Sequence, residues 1–257
     1  ESFESFKTMN ILVCISNVPD TTTRIKYSAD MKAVDYSGVQ WIINPWDELA
    51  LTRAIELKEA NPALVQKITV ITAGGADAEP TLRKALACGA DDAIRVDAAG
   101  GDSLFTATQL AHAVKGEPFD VILCGIESSD YNGSAVGGML AELLDYNSVS
   151  AVSSLNLEGN SVKVTREIDG GKQSIETSAP VVLIVQKGIA INPRIPSMRG
   201  IMTARTKPLK VVAAAAASPG SKVVGYQAPP QKSACKMIDP ENIDELVHLL
   251  HTEARVI

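Results

Sequence analysis

The sequence predicts a doubly wound α/β domain whose mainly parallel sheet is extended by antiparallel strands and followed by a C-terminal arm and helix. From Asn10 to about Asp145, short and nearly continuous β-branched runs alternate with longer helical patterns. That alternation belongs to parallel strands covered by helices on both faces. After Asp145 strand-like runs follow one another with only turn signals between them, and beyond about Lys210 periodicity fades until a final amphipathic stretch. The chain therefore divides into an α/β domain over 9–210, with a long loop at 190–206, and an arm with a terminal helix over 211–257.

In the first part NILVCI, KITVIT, DAIRV and DVILCG are the expected strands. The expected helices are PWDELALTRAIELKEA, EPTLRKALACG, SLFTATQLAHAVKG and SAVGGMLAELLD. The first helix carries its start signals in order, with Asn44 as N-cap, Pro45 at the first position and Asp47 with Glu48 in the first turn. In SVSAVSSLNLEGNSVKVTREIDGGKQSIETSAPVVLIVQ the turns EGN and DGG predict an antiparallel meander, with Asp169 and Gly170 able to supply positive φ. GIAINPRIPSMRGIMTARTKPLK, rich in proline and basic residues, is expected to be a long ordered loop. PENIDELVHLLHTEARVI predicts a closing helix capped by Asp239, with Pro240 first and Ile243, Leu246, Val247 and Leu250 on one face.

Composition narrows the function. A formal charge of −6 and only 4% aromatic residues exclude a general nucleic-acid binder and a base-stacking or sugar-binding surface. The four cysteines, Cys14, Cys88, Cys124 and Cys235, are widely spaced without a CxxC pair, which predicts neither a disulfide framework nor a zinc site. His112, His248 and His251 lack metal-ligand spacing. No apolar run is long enough to span a bilayer, and ESFESFKT ahead of Met9 resembles neither a secretory signal nor a transit peptide, so Met9 is taken as the natural start.

In an open α/β sheet ligands sit beyond the carboxyl ends of the strands. CISNVPD, INPWDE, TAGGADAEP and GIESSDYNGSAVGG all fall at that edge and are expected to wall one pocket. In DYNGSAVGGML, Gly133 lets the backbone approach an anion while Ser134 and Ala135 present amides at a helix start. The competing explanation is that Gly133, Gly137 and Gly138 only let the helix pack closely. Neither GxGxxG nor GxxxxGK[ST] occurs, which disfavours a dinucleotide fingerprint and a P-loop.

These segments together resemble the β subunit of electron transfer flavoprotein. The most specific stretch is VTREIDGGKQSIETSAPVVLIVQKGIAINPRIPSMRGIMTARTKPL, supported by NILVCISNVPD, INPWDELAL and TLRKALACGADDAIRV. The resemblance runs from Met9 to Ile257. It implies a Rossmann-like domain of the adenine-nucleotide-binding type. It also implies an electron carrier without catalytic residues of its own, paired with an α subunit that holds most of the FAD. Structural AMP would be bound by Cys14, Asn44, Thr72, Ala73, Asp130, Asn132, Gly133, Ser134 and Ala135. Glu167 would touch the mobile FAD domain of the α subunit, and Ile195, Pro196 and Met198 would engage dehydrogenases. The arm would embrace the α subunit. Electrons would pass from acyl-CoA and related dehydrogenases, in fatty acid oxidation, to a membrane quinone reductase. The expected location is the bacterial cytoplasm rather than the mitochondrial matrix.

Two other readings stay open at this stage. A bifurcating electron transfer flavoprotein would hold a second FAD in place of AMP; the Val-Gly of its D-x-D-T-x-Q-V-G turn is present here, but the Thr and Gln are not. A nucleotide-sensing module of universal-stress type would share the α/β domain but would not need the hairpin, the loop or the arm.

Overall fold

The structure, a computed structural model, describes residues 8–98, 100–232 and 234–257; ESFESFK, part of the segment ahead of Met9, lies outside the described residues. The parallel part of the sheet begins with β1 (Met9–Cys14). Four short strands follow, β2 (Asn17–Pro19), β3 (Lys26–Tyr27), β4 (Val34–Asp35) and β5 (Trp41–Ile43), pairing as two small antiparallel ribbons. Helix α1 (Pro45–Ala60) leads to β6 (Val65–Ala73), α2 (Glu79–Cys88), β7 (Asp92–Asp97), α3 (Ser103–Val114), β8 (Val121–Gly125) and α4 (Val136–Leu144). Three long strands, β9 (Asn147–Glu158), β10 (Ser161–Ile168) and β11 (Gly171–Ser178), form the expected meander. Its turns place Gly159 at φ +57° and Gly170 at φ +85°.

The chain then returns inward. β12 (Val181–Val185) inserts in parallel between β8 and β9, so the sheet runs β11-β10-β9-β12-β8-β1-β6-β7-β13. An all-apolar VVLIV run suits that place, buried on both faces. The last member, β13 (Leu209–Ala213), pairs with the outer edge of β7. It crosses the boundary that the sequence placed at 210/211. Alternate residues of β1 face two cores: Met9, Ile11 and Val13 enter a cluster with Leu51, Leu82 and Leu86 from α1 and α2. Leu12 and Cys14 enter another with Leu110 and Leu140 from α3 and α4. Two layers of helices thus hold the sheet at the period-two spacing of its strands.

Three local expectations are corrected. The segment expected as loop contains a helix, α5 (Met198–Ala204), because the Ser197 hydroxyl accepts from the Gly200 amide as its N-cap. Gly200 lets α5 lie on α2: a methyl there would collide with the carbonyl oxygen of Ala87. The last helix, α6 (Ile243–Leu249), begins after a turn at Asp239 and is capped by Asn242, whose side chain accepts from Glu245. An Asp-Pro-Glu-Asn turn consumes the residues expected to open the helix. Asn44 is the N-cap of α1 by position, yet its side chain is spent elsewhere, as described below.

The arm is tied down over its first half. Gln109, fully buried, exchanges two hydrogen bonds with the backbone of Ala215. Asp102 accepts from both the amide and the hydroxyl of Ser221, and the Tyr226 amide donates to Met31. Past that point apolar side chains stand in the open, including Met237, Ile243, Leu246 and Val247.

Candidate functional site

Three of the four loops expected to wall one pocket do so, while INPWDE contributes only Asp47 and the loop around Gly100 takes its place. Beyond the carboxyl ends of β1, β6 and β8 lies a cavity of about 350 Å³, bounded by Cys14–Val18, Ile71–Gly75, Gly100–Thr106 and Cys124–Ser128. Of the nine residues assigned to a nucleotide by resemblance, Cys14, Thr72, Ala73, Asp130, Gly133, Ser134 and Ala135 line it. Asn44 and Asn132 are not among the lining residues. Asn44 sits behind the wall with no solvent exposure, its Nδ2 donating to the Glu127 carbonyl at 2.8 Å and its Oδ1 accepting from the Ser129 amide at 3.1 Å. It positions the loop that carries the site. Asn132 is exposed and turns outward at φ +50°.

The backbone after Asn132 explains what the small residues do. Ser134 is left-handed at φ +49°, and Ala135 follows with right-handed angles of φ −119° and ψ −28°. Two successive residues of opposite hand turn consecutive amides toward one point, which makes an anion-binding concavity. Among the described residues, no acceptor takes a hydrogen bond from the amides of Gly133, Ser134, Ala135 or Val136. These groups head α4, so the positive end of the helix points the same way.

The glycines divide between the two explanations. A Cβ at Gly137 would stand 2.6 Å from Ile184 Cγ1 and 3.3 Å from Cys124 Cβ, so this glycine allows α4 to touch β12 and β8. At Gly138 nothing would lie within 4 Å. Gly137→Val is therefore expected to cost about 1 to 3 kcal/mol by overpacking, whereas Gly138→Ala leaves stability level or gains up to about 1 kcal/mol. Urea unfolding of both variants checks this, and equal effects would overturn it.

Sequence reasoning missed the floor. Asp47, expected in the first turn of α1 and in the INPWDE wall, is buried in the fold, its Oδ2 accepting from the Ser16 amide at 2.8 Å and its Oδ1 from the Gly125 amide at 3.0 Å. It thereby ties the ends of β1 and β8 to α1. Burial pushes its carboxyl up to about 7, against the pull of the Ser16 amide and Asn44. Cys124, Ser16, Asp102 and Glu127 also line the cavity, and Glu127 accepts from the Ser134 hydroxyl at 3.2 Å. The sequence signal for Asp47 was its position next to a Pro-initiated helix facing the strand ends. Acidic side chains recur around the cavity at Asp47, Asp77, Asp102, Glu127 and Asp130, with no lysine or arginine in its lining. Tyr36, Trp41 and Tyr131 form an aromatic rim, the first two with ring centroids 5.2 Å apart.

The remaining expected residues lie elsewhere. Glu167 is on β10, three strands from β8, where it accepts from Gln186 at 3.0 Å and sits 3.8 Å from Lys172. Ile195 and Met198 are 84% and 76% exposed, beside a second groove of about 480 Å³ formed by α2, Pro196 and α5. Two neighbouring basic residues are occupied: Arg194 pairs with Glu59 at 2.5 Å, and Lys207 donates to the Leu86 and Ala90 carbonyls at the end of α2. The groove is thus braced from beneath while its apolar rim stays open.

Comparison with known proteins gives the family. The profile of the family described as "Electron transfer flavoprotein domain" matches residues 32–217. An electron transfer flavoprotein subunit beta of Syntrophomonas wolfei is 39% identical over 91% of this chain and 91% of its own. The Bacillus subtilis subunit beta is 35% identical over 97% of this chain and 100% of its own, and that of Mus musculus 33% identical over 96% and 99%.

Proposed function

The chain belongs to the electron transfer flavoprotein family as a β subunit, and from that premise we propose that it binds AMP in the strand-end cavity while its α subunit holds the FAD. Subunits of this family carry electrons, and a β subunit implies an α partner. The observation that carries the nucleotide reading is the fan of amides at Gly133–Val136, which has no acceptor among the described residues. Backbone amides at a helix start suit one phosphate. The surrounding carboxylates, without a lysine or arginine, disfavour the greater charge of a di- or triphosphate. AMP is therefore preferred to ATP.

A second FAD is the competing occupant, favoured by the aromatic rim of Tyr36, Trp41 and Tyr131 on which a flavin could stack. The test is to coexpress the chain with its α subunit, release the ligands by denaturation and quantify them by chromatography. One FAD and one AMP per heterodimer is the expected result. Two FAD and no AMP would overturn the AMP assignment and establish a bifurcating arrangement.

The exposed Ile195–Met198 rim is assigned to dehydrogenase docking, with acyl-CoA dehydrogenases as donors and a membrane quinone reductase as acceptor. Methionine adapts to differing pockets, which suits a carrier with several donors. Met198→Ala is expected to slow reduction by a dehydrogenase roughly five- to thirtyfold, the effect of losing about 1 to 2 kcal/mol of docking energy, with FAD content unchanged. Loss of FAD would instead make this side chain structural. Glu167 and the exposed apolar face of α6 are assigned to the α subunit, and the bacterial cytoplasm is the proposed location.

A further inference from the structure

Cys14 ends β1 and Cys124 lies on β8; the register that pairs Val13 with Leu123 brings the next residues, these two cysteines, side by side on adjacent parallel strands. Both are buried, and both line the strand-end cavity. The other two cysteines lie apart, Cys88 in α2 with its thiol donating to the Arg194 carbonyl and Cys235 exposed in the arm. The strands are close-packed from the protein side, with Leu12, Ile122 and Leu140 in the same apolar cluster, so the open approach to the two sulfurs is through the cavity.

We propose that Cys14 and Cys124 form a two-thiol site for a soft, thiophilic ion of the trivalent arsenic or monovalent copper class, entered through the cavity. Paired thiols at neighbouring positions satisfy such ions where oxygen ligands do not. The neighbouring Cys124 thiol and burial push the Cys14 thiol up, so alkylating reagents, which need the thiolate, react slowly with it. An arsenical escapes that barrier. With phenylarsine oxide two As–S bonds form as the As=O bond is lost, both thiol protons leave on that oxygen as water, and neither arsenic nor sulfur changes oxidation state. The site stands on strand register and cavity lining alone, while its competition with AMP rests on the proposed nucleotide reading.

The experiment uses the heterodimer after removal of bound nucleotide, titrated with phenylarsine oxide and read by intact mass, with peptide mapping of the adduct. One arsenical bridging Cys14 and Cys124 is expected, absent from Cys14→Ser and from Cys124→Ala. No uptake by the wild type, or an adduct mapped to Cys88 or Cys235, would overturn the proposal, and the mapping holds even if a variant fails to fold. AMP is expected to slow uptake at least tenfold. Should AMP bind by calorimetry without slowing it, entry through the cavity is overturned; should AMP not bind at all while the bridge forms, the dithiol site stands and the nucleotide reading fails.

Discussion

Ser134→Asp is expected to lower AMP affinity by roughly thirtyfold and to strip AMP from the purified heterodimer while leaving FAD in place. Ser134 is held at φ +49°, a left-handed conformation that Asp tolerates better than most residues, so the backbone fan of amides survives the exchange. What changes is charge. Two unit charges about 4 Å apart repel by about 4 kcal/mol at an effective dielectric of 20, and the exposure of this position reduces that by roughly half. Ser134→Gly, which keeps the positive φ and removes only the hydroxyl, should retain AMP within a few fold. Unchanged AMP content in Ser134→Asp would remove the phosphate from this turn.

Asp47→Ala is expected to be the most destabilising single change at the site. It leaves the amides of Ser16 and Gly125, both in the cavity lining, without their carboxylate acceptor. At about 1 to 3 kcal/mol for each orphaned amide, the loss is about 3 kcal/mol, which lowers Tm by roughly 6 to 12 °C for a chain of this size. The two strand ends it joins also wall the cavity, so AMP content should fall with stability. A Tm within 2 °C of wild type would show that the Asp47 carboxylate is not the tie between β1 and β8.

The same carboxyl sets a pH dependence. Burial raises it from 3.8 in the unfolded chain to about 7 in the fold, so the native state binds its proton more tightly than the unfolded state. Its contribution is therefore complete below about pH 4 and is lost as the pH rises through about 7. The stability difference between wild type and Asp47→Asn, which cannot titrate, should shift against the wild type from pH 5 to pH 8. A flat difference across that range would contradict the raised carboxyl.

The path from β1 to α4 was legible because each element repeats its own signal. Alternating cores on β1 and the Pro-initiated α1 follow from apolar spacing and start residues that act locally. The cavity was also legible as a place, since a parallel sheet puts every βα loop at one edge. Its small-residue turn could be located but not divided. Only the packed fold separates Gly137, pressed against Ile184, from Gly138, which faces open space. The α5 helix escaped because seven residues bounded by proline and a basic run carry too little periodicity, and its stability comes from lying on α2.

By itself the sequence determined the α/β alternation, the antiparallel extension, the family and the loops that would meet a ligand, because those follow from local patterning and from contiguous motifs. Tertiary structure alone decided that Asn44 would hold a loop rather than cap its helix, that Asp47 would become the buried tie of the cavity floor, that β12 would return between β8 and β9, and that Cys14 would meet Cys124. The physical reason is range. Each of these outcomes depends on a partner far along the chain, brought near by strand register and by the need to give buried polar groups an acceptor, and neither is written in the residues on either side.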